Sequence, residues 1–437
     1  MGMNKKVSVI NFDLLDRVFV GLLLVIFAGI VVHAPLTVWL GTFSPDYSLL
    51  IKSWKELLMI LATLFGGMIL YKKRQLIILK DPLIIIAGIY AAVHVLLLPV
   101  RFQGVESAVA GLFIDLRYVL FFVLVYVAVR LYPQVRRPFL ITGLIGALVV
   151  TLFGLLQVFV LPPDILQHLG YGPSTIMPYL TIDQNEAYIR INSTLRGPNS
   201  LGAYAAIVLA LVSAFWIKGH YKKIEKPLPV LELLLVGTIV CVWVSYSRSA
   251  LVAAGVGLFI VLAATVLRKS IIRWVASLTI IGAVLGGVIV VGGSDFVSNV
   301  LLHENLDGGS AVSSNDGHVD SLQDGSVRLV TQPFGGGIGS TGSASLLGDS
   351  PLVIENQYLF VAHEVGWVGL ICFLLLFGLI LRELWRARAD WLALGVFASG
   401  IGIGLMALLL PIWADDTVAI IWWGLAAIAL ASRTRHD

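Results

Sequence analysis

Glu364-Val365-Gly366-Trp367-Val368-Gly369, with the run behind it to Leu381, returns the chain to an apolar phase after a polar island, Gly293 to Leu352. The island is rich in Gly, Ser, Asp and Asn, in a chain that is otherwise almost wholly apolar. At its far edge stands Glu355-Asn356-Gln357-Tyr358. A polar island closed by an apolar run of this length reads as an extra-membrane loop folded over the mouth of a helix bundle. The rest of the chain is then the scaffold beneath that mouth.

Composition agrees. Hydrophobic residues make up 58% of the 437 and charged residues 13%, against about 25% charged in soluble domains. Apolar runs near the length of a bilayer crossing are the mark of an all-α polytopic membrane protein. Cys241 and Cys372 both lie in apolar runs, so neither a disulfide framework nor zinc spacing is present. Lys5, Lys6 and Arg17 precede the first run as in a signal peptide. That run is long and more follow, so it reads as an uncleaved first helix.

About twelve spans are expected, near 15–32, 54–71, 82–99, 112–130, 139–160, 198–217, 229–246, 249–267, 274–292, 353–381, 391–410 and 417–431. They form one transmembrane domain over 1–437, with outer loops at 161–197 and, before the tenth span, 293–352. With the N-terminus inside, both termini are cytoplasmic. All but eight of the 30 Lys and Arg then fall on inner loops and tails, as the positive-inside rule requires. The eight are Lys52, Lys55, Arg101, Arg117, Arg190, Arg196, Arg248 and Arg328.

Arginines that persist against the charge rule need a reason. A guanidinium presents a planar fork that binds phosphate bidentately and keeps its charge when desolvated. Arg196 and Asn199 stand at the start of the sixth span, where Pro198 suits a first helical turn and free amides favour an anion. An ordinary helix start beside an interfacial arginine fits the same residues. Arg248 sits in Ser247-Arg248-Ser249, between two spans with almost no loop, where an arginine costs about 2.5–3.5 kcal/mol on insertion scales. Snorkelling is its plain alternative. Arg117, near the outer end of the fourth span, makes a weaker case of the same kind.

In the island, a helix is expected around 318–332. His318, Asp324 and Arg328 fall at i, i+6 and i+10 on it and read as one face. The following Gln332-Pro333-Phe334-Gly335-Gly336-Gly337-Ile338-Gly339 lacks the Lys-Ser/Thr of a P-loop and follows no strand, which excludes nucleotide binding by that motif. It reads either as a flexible loop or as backbone brought close to a sugar or phosphate. Glu355, at the outer mouth of the tenth span, is placed to take a proton from an attacking hydroxyl, or else to cap the helix. Asn356, Tyr358 and His363 stand beside it as candidate glycan contacts, and Glu364 faces roughly the opposite side.

Four short signatures, in this order and placement, resemble the O-antigen ligase and O-antigen polymerase (Wzy-type) superfamily of bacterial envelope glycosyltransferases. They are Arg196-Gly197-Pro198-Asn199-Ser200-Leu201-Gly202, Ser247-Arg248-Ser249, the glycine run, and Glu355-Asn356-Gln357-Tyr358-Leu359 with Glu364-Val365-Gly366. The resemblance covers most of the chain. It implies a GT-C-like fold in the bacterial inner membrane with the active site on the extracytoplasmic face. It implies metal-independent transfer from an undecaprenyl-diphosphate-linked glycan, with no cofactor. Arg248 and Arg328 would hold the diphosphate, and Arg190 and Arg196 would assist. Partners would be an acceptor glycan or glycolipid, the bilayer and other polysaccharide-assembly proteins, but no nucleic acid. Ligases of this superfamily carry His where this chain has Glu355, which favours a polymerase over a ligase. A lipid-linked sugar flippase is the rival of another class. Against it, the charged candidates gather at one face and no repeated pair of broken helices is visible.

Overall fold

A computed structural model describes residues 12–182, 185–221, 229–265 and 314–432. The expected span 274–292, the first part of the island and the chain ends lie outside these residues. In chain order the helices are α1 Leu14–Gly29, α2 His33–Phe43, α3 Ser48–Lys52, α4 Trp54–Lys72, α5 Pro82–Leu97, α6 Val105–Leu131 and α7 Arg136–Phe159. After them come α8 Pro198–Tyr221, α9 Pro229–Val244, α10 Arg248–Thr265, α11 Ser314–Thr331, α12 Gly342–Ser345, α13 Gln357–Arg386, α14 Trp391–Met406 and α15 Asp416–Ala431. Among the described residues, seven helical stretches are long and apolar enough to cross a membrane, and α5, α9, α14 and α15 are shorter apolar helices. Each expected span other than 274–292 carries one of these helices. The protein is an all-α membrane protein with a single small sheet among the described residues.

That sheet lies within the outer loop expected at 161–197. β1 Tyr179–Ile182 pairs antiparallel with β2 Asn185–Ile191, with Leu180 opposite Arg190. Its apolar contacts join Ile182 and Tyr188 to Trp243 and Tyr246. A short ribbon survives because it lies on the helices instead of standing alone.

The helices start where acidic or amide side chains can hold free amides. Asp13 and Asp16 form a capping box on α1, Asp81 caps α5, Asp390 caps α14 and Asp415 caps α15. α15 is apolar around its whole circumference, and every residue from Thr417 to Ala431 is buried. A helix without a polar face belongs inside a bundle. Trp413, Trp422 and Trp423 pack there against Phe377 and Tyr118. Elsewhere small residues let backbones meet, as where Gly402 of α14 faces the Ala253 carbonyl of α10.

Basic residues gather at one end of the bundle. Arg136 pairs with Asp390 at 2.5 Å, Lys73 with Asp16, and Lys218 donates to the Arg388 and Ala389 carbonyls. The opposite end is stepped. Arg117 donates to the Ala414 carbonyl, so the connection 407–416 lies level with the middle of α6. α6 continues twelve residues beyond Arg117 to Val105, a rise of about 18 Å.

α13 is not one straight helix. Val365 and Gly366 leave helical geometry, Gly366 with φ 64°. Tyr358 and Phe373 have ring centroids 6.2 Å apart, although fifteen residues of straight helix would separate them by about 22 Å. The chain therefore reverses at Val365–Gly366. Gln357–Glu364 lies back alongside the longer limb, with the Tyr358 hydroxyl donating to the Gly404 carbonyl at 2.7 Å.

Candidate functional site

The connection 407–416 is the floor on which most of the expected site residues converge. Ala407 accepts from the Gln357 amide at 2.8 Å, and Leu408 accepts from the Asn356 side chain at 2.8 Å. Asn356 is also the N-cap of α13, its side-chain oxygen accepting from the Tyr358 and Leu359 amides. The cap is thus Asn356 and not Glu355, because the chain enters the helix one residue later than the sequence suggested. Glu355 is half-buried, and its own amide donates to the Ser321 hydroxyl at 2.9 Å.

Arg248 reaches the same corner from another helix. α10 and α14 run antiparallel in close packing, with Ala253 against Gly402. Five residues up from each contact are Arg248, the first residue of α10, and Ala407. Ser245-Tyr246-Ser247 forms the tight turn before it, with Tyr246 at φ 45°. Burial, and then Tyr188, pushes the Tyr246 phenol up from its ordinary value. Arg190 of β2 ties this turn to the start of α8, donating to the Ser245 carbonyl at 2.9 Å and to the Asn199 side chain at 2.8 Å. One residue on, the Ser200 hydroxyl donates to Asp415 at 2.5 Å. Arg190, Asn199, Arg248, Asn356 and Glu355 therefore border one floor. Arg196 is exposed two residues before α8, held near by Thr194, whose hydroxyl donates to the Val31 carbonyl.

Arg328 stands apart from that floor. It pairs with Asp324 at 2.7 Å on α11 and lies close enough to His363 to act on it electrostatically. His363 is buried, and its Nδ1 has no hydrogen-bond partner. Asp324 and Arg328 share a face, as four residues on a helix do. Six residues at about 100° each set position 318 about a third of a turn away from Asp324, so the three do not form one face. The His318 side chain lies outside the described residues.

The glycine run packs against the protein's own helices. It is threaded between the start of α6 and the break in α13. The Gly336 amide donates to the His363 carbonyl at 2.5 Å, and Pro333 accepts from the Trp367 amide at 2.9 Å. Glu364 is buried and clamps the run, accepting from the amides of Gly339 and Thr341. Ser107 of α6 donates to the Gly339 carbonyl at 2.7 Å. Gly339 has φ 78°, and a Cβ there would collide with the Ser107 backbone. The glycines serve backbone approach to the protein's own helices.

At the Asp416 edge of the floor lies a set of paired acidic and basic side chains that the sequence reading did not assemble. Asp416 pairs with Arg117, with Lys55 at 2.7 Å and with His33 at 3.2 Å. Glu56 lies 3.1 Å from Lys55 and 3.8 Å from Arg117. Arg117 is 6% exposed and Lys55 3%. Arg117, picked out as a possible substrate ligand, thus has its charge balanced inside the protein. The available signal was that Lys55 and Arg117 both violate the charge rule while Glu56 and Asp416 stand in apolar surroundings.

The site can present arginines and one half-buried carboxylate around a recessed floor at the bundle end opposite the basic residues. Such a place can hold an anion and accept a proton without a soluble domain. No protein-family model matches the chain, and no curated protein matches it.

Proposed function

We propose that this protein is a membrane polysaccharide polymerase. It transfers glycan from an undecaprenyl-diphosphate carrier to a hydroxyl of a second lipid-linked repeat unit, in the bacterial inner membrane, on the extracytoplasmic face. The acceptor oxygen bonds to the anomeric carbon of the donor glycan. The bond from that carbon to the diphosphate breaks, and its electron pair leaves with the diphosphate. The hydroxyl proton passes to Glu355. Arg248 and Arg190 neutralise the departing charge, with Arg196 at the rim. Arg328 meets the glycan beside His363, one level above.

One observation carries the reading: Gln357 and Asn356 bond Ala407 and Leu408, at the end of α14 to which the packing of Ala253 against Gly402 and of Gly257 against Ala398 brings the start of α10 at Arg248. Fixed positive charge beside a carboxylate is what transfer from a diphosphate needs when the protein itself stabilises the leaving group. Lateral entry between helices suits a donor with a polyprenyl tail.

A carrier reading has an observation of its own. His94 and Asp115 are buried 3.6 Å apart, with His94 Nε2 and Asp115 Oδ2 lacking hydrogen-bond partners, as in a proton path. Purified protein given lipid-linked repeat units in detergent separates the two, because detergent leaves no second compartment. Chain lengthening is expected in the wild type. Arg248→Ala is expected to lose at least about a hundredfold, the scale of one oxyanion-type contact, and Glu355→Gln a similar factor while still inserting. Polymer of normal length from Arg248→Ala would overturn the site. Full-length polymer stranded on its carrier in cells lacking the protein would mean a ligase. Unextended repeat units on the cytoplasmic side would mean a flippase.

A further inference from the structure

The basic end of the bundle holds a second feature, which lies outside the proposed catalytic site and does not depend on it. An apolar cavity of about 280 Å³ opens among α7, α8, α9, α14 and α15. Phe27, Tyr204, Phe215, Leu234 and Leu425 are among its walls. Ile141 and Leu144 line it and are themselves exposed on the outside of the bundle, 46% and 38%. The cavity thus opens sideways, to the bilayer. Its polar limit is Arg137, and it shares Arg137, Leu140 and Trp391 with a surface hollow of about 500 Å³ that Pro133, Gln134 and Arg136 also line.

The charges at that mouth are not equivalent. Arg136 is spent on Asp390 at 2.5 Å. Arg137 is exposed and has no ion-pair partner among the described residues. An apolar slot continuous with the bilayer, ending at an uncompensated guanidinium beside a tryptophan at the helix start, has the chemistry of a phospholipid site. Basic pockets between helices at the positively charged side of a membrane hold anionic headgroups, and tryptophan marks the headgroup level.

We propose that this groove binds one phospholipid with an anionic headgroup, an acyl chain in the cavity and the phosphate on Arg137. The occupant follows from charge complementarity. A neutral apolar guest would leave Arg137 without a counter-charge, and a zwitterionic headgroup would bring its own ammonium to the guanidinium. The lipid would wedge α7 against α9 and so fix the helices that carry the α8 and α10 starts.

The test uses the full chain in detergent, with phosphatidylglycerol and phosphatidylcholine of identical acyl chains as probes. Native mass spectrometry counts lipid retained per chain. One phosphatidylglycerol per chain is expected, preferred about fivefold, the effect of one arginine near an anionic surface. Arg137→Gln is expected to abolish the preference, while Arg382→Gln, an exposed arginine of the same end already paired with Glu383, leaves it unchanged. Gly143→Leu fills the cavity, since a Cβ there meets only Phe27, at 3.4 Å, and is expected to lose the retained lipid of either kind. Equal preference in wild type and Arg137→Gln would overturn the headgroup assignment. Undiminished lipid in Gly143→Leu, with an unchanged thermal midpoint reporting a folded protein, would overturn the cavity assignment.

Discussion

At the scale of single residues, the membrane sets the terms. A charge placed at depth must be matched, and Lys55, Glu56, Arg117 and Asp416 match one another in number and in contact. Such a group adds little net stability, because desolvation offsets attraction, yet removing one partner leaves an orphaned charge. Asp416→Asn is expected to cost about 3 kcal/mol, seen as a lowered thermal midpoint in detergent. Asp416→Asn with Lys55→Met restores the balance of charges and is expected to recover part of that loss. A double variant no more stable than the single one would mean that the four side chains do not act as a unit. Arg117 was visible in the sequence as an exception to the charge rule. Its partners were not, because the four side chains come from three helices far apart in the chain, α4, α6 and α15, and pairing across a bundle leaves no periodicity to read.

At the scale of elements, the break in α13 does the positioning. Only glycine takes φ 64° with ψ −166° without strain, and any Cβ at Gly366 would overlap the Pro333 carbonyl. The break turns Gln357–Glu364 back so that Asn356 reaches Leu408 while Glu364 reaches the glycine run. Gly366→Ala costs about 1–2 kcal/mol in backbone conformation alone. It is expected to raise hydrogen exchange of the Gly336, Gly339 and Thr341 amides about tenfold, with α15 unaffected. Unchanged exchange would mean that the run is held without the break. The sequence told where the apolar helices lie, since length and hydropathy suffice for that. It placed a helix near 318–332, found at 314–331. It did not tell that the tenth span reverses, because glycine in an apolar run is compatible with a straight helix. That the glycine run packs against α6 and α13 was not legible for a related reason: tight packing and looseness have the same composition.

At the scale of the whole molecule, the two ends of the bundle differ in kind, and the functional reading depends on which end faces out. One end carries Lys73, Arg136, Arg137 and Lys218; the other carries the hairpin, the turn before Arg248 and the floor at 407–416. The charge rule puts the first end inside. A chain free of native cysteine, with Cys241→Ser and Cys372→Ser, allows a direct check. Ser174→Cys, in the exposed part of the 161–197 loop, is expected to react with a membrane-impermeant thiol reagent added to intact spheroplasts. Gln134→Cys, exposed at the basic end, is expected to react only after the membrane is opened. The reverse pattern would set Arg248 and Glu355 facing the cytoplasm. A repeat unit that polymerises outside could not reach them there, so the polymerase reading would fail. The lipid groove would then face the outer leaflet, and its preference for an anionic headgroup would remain.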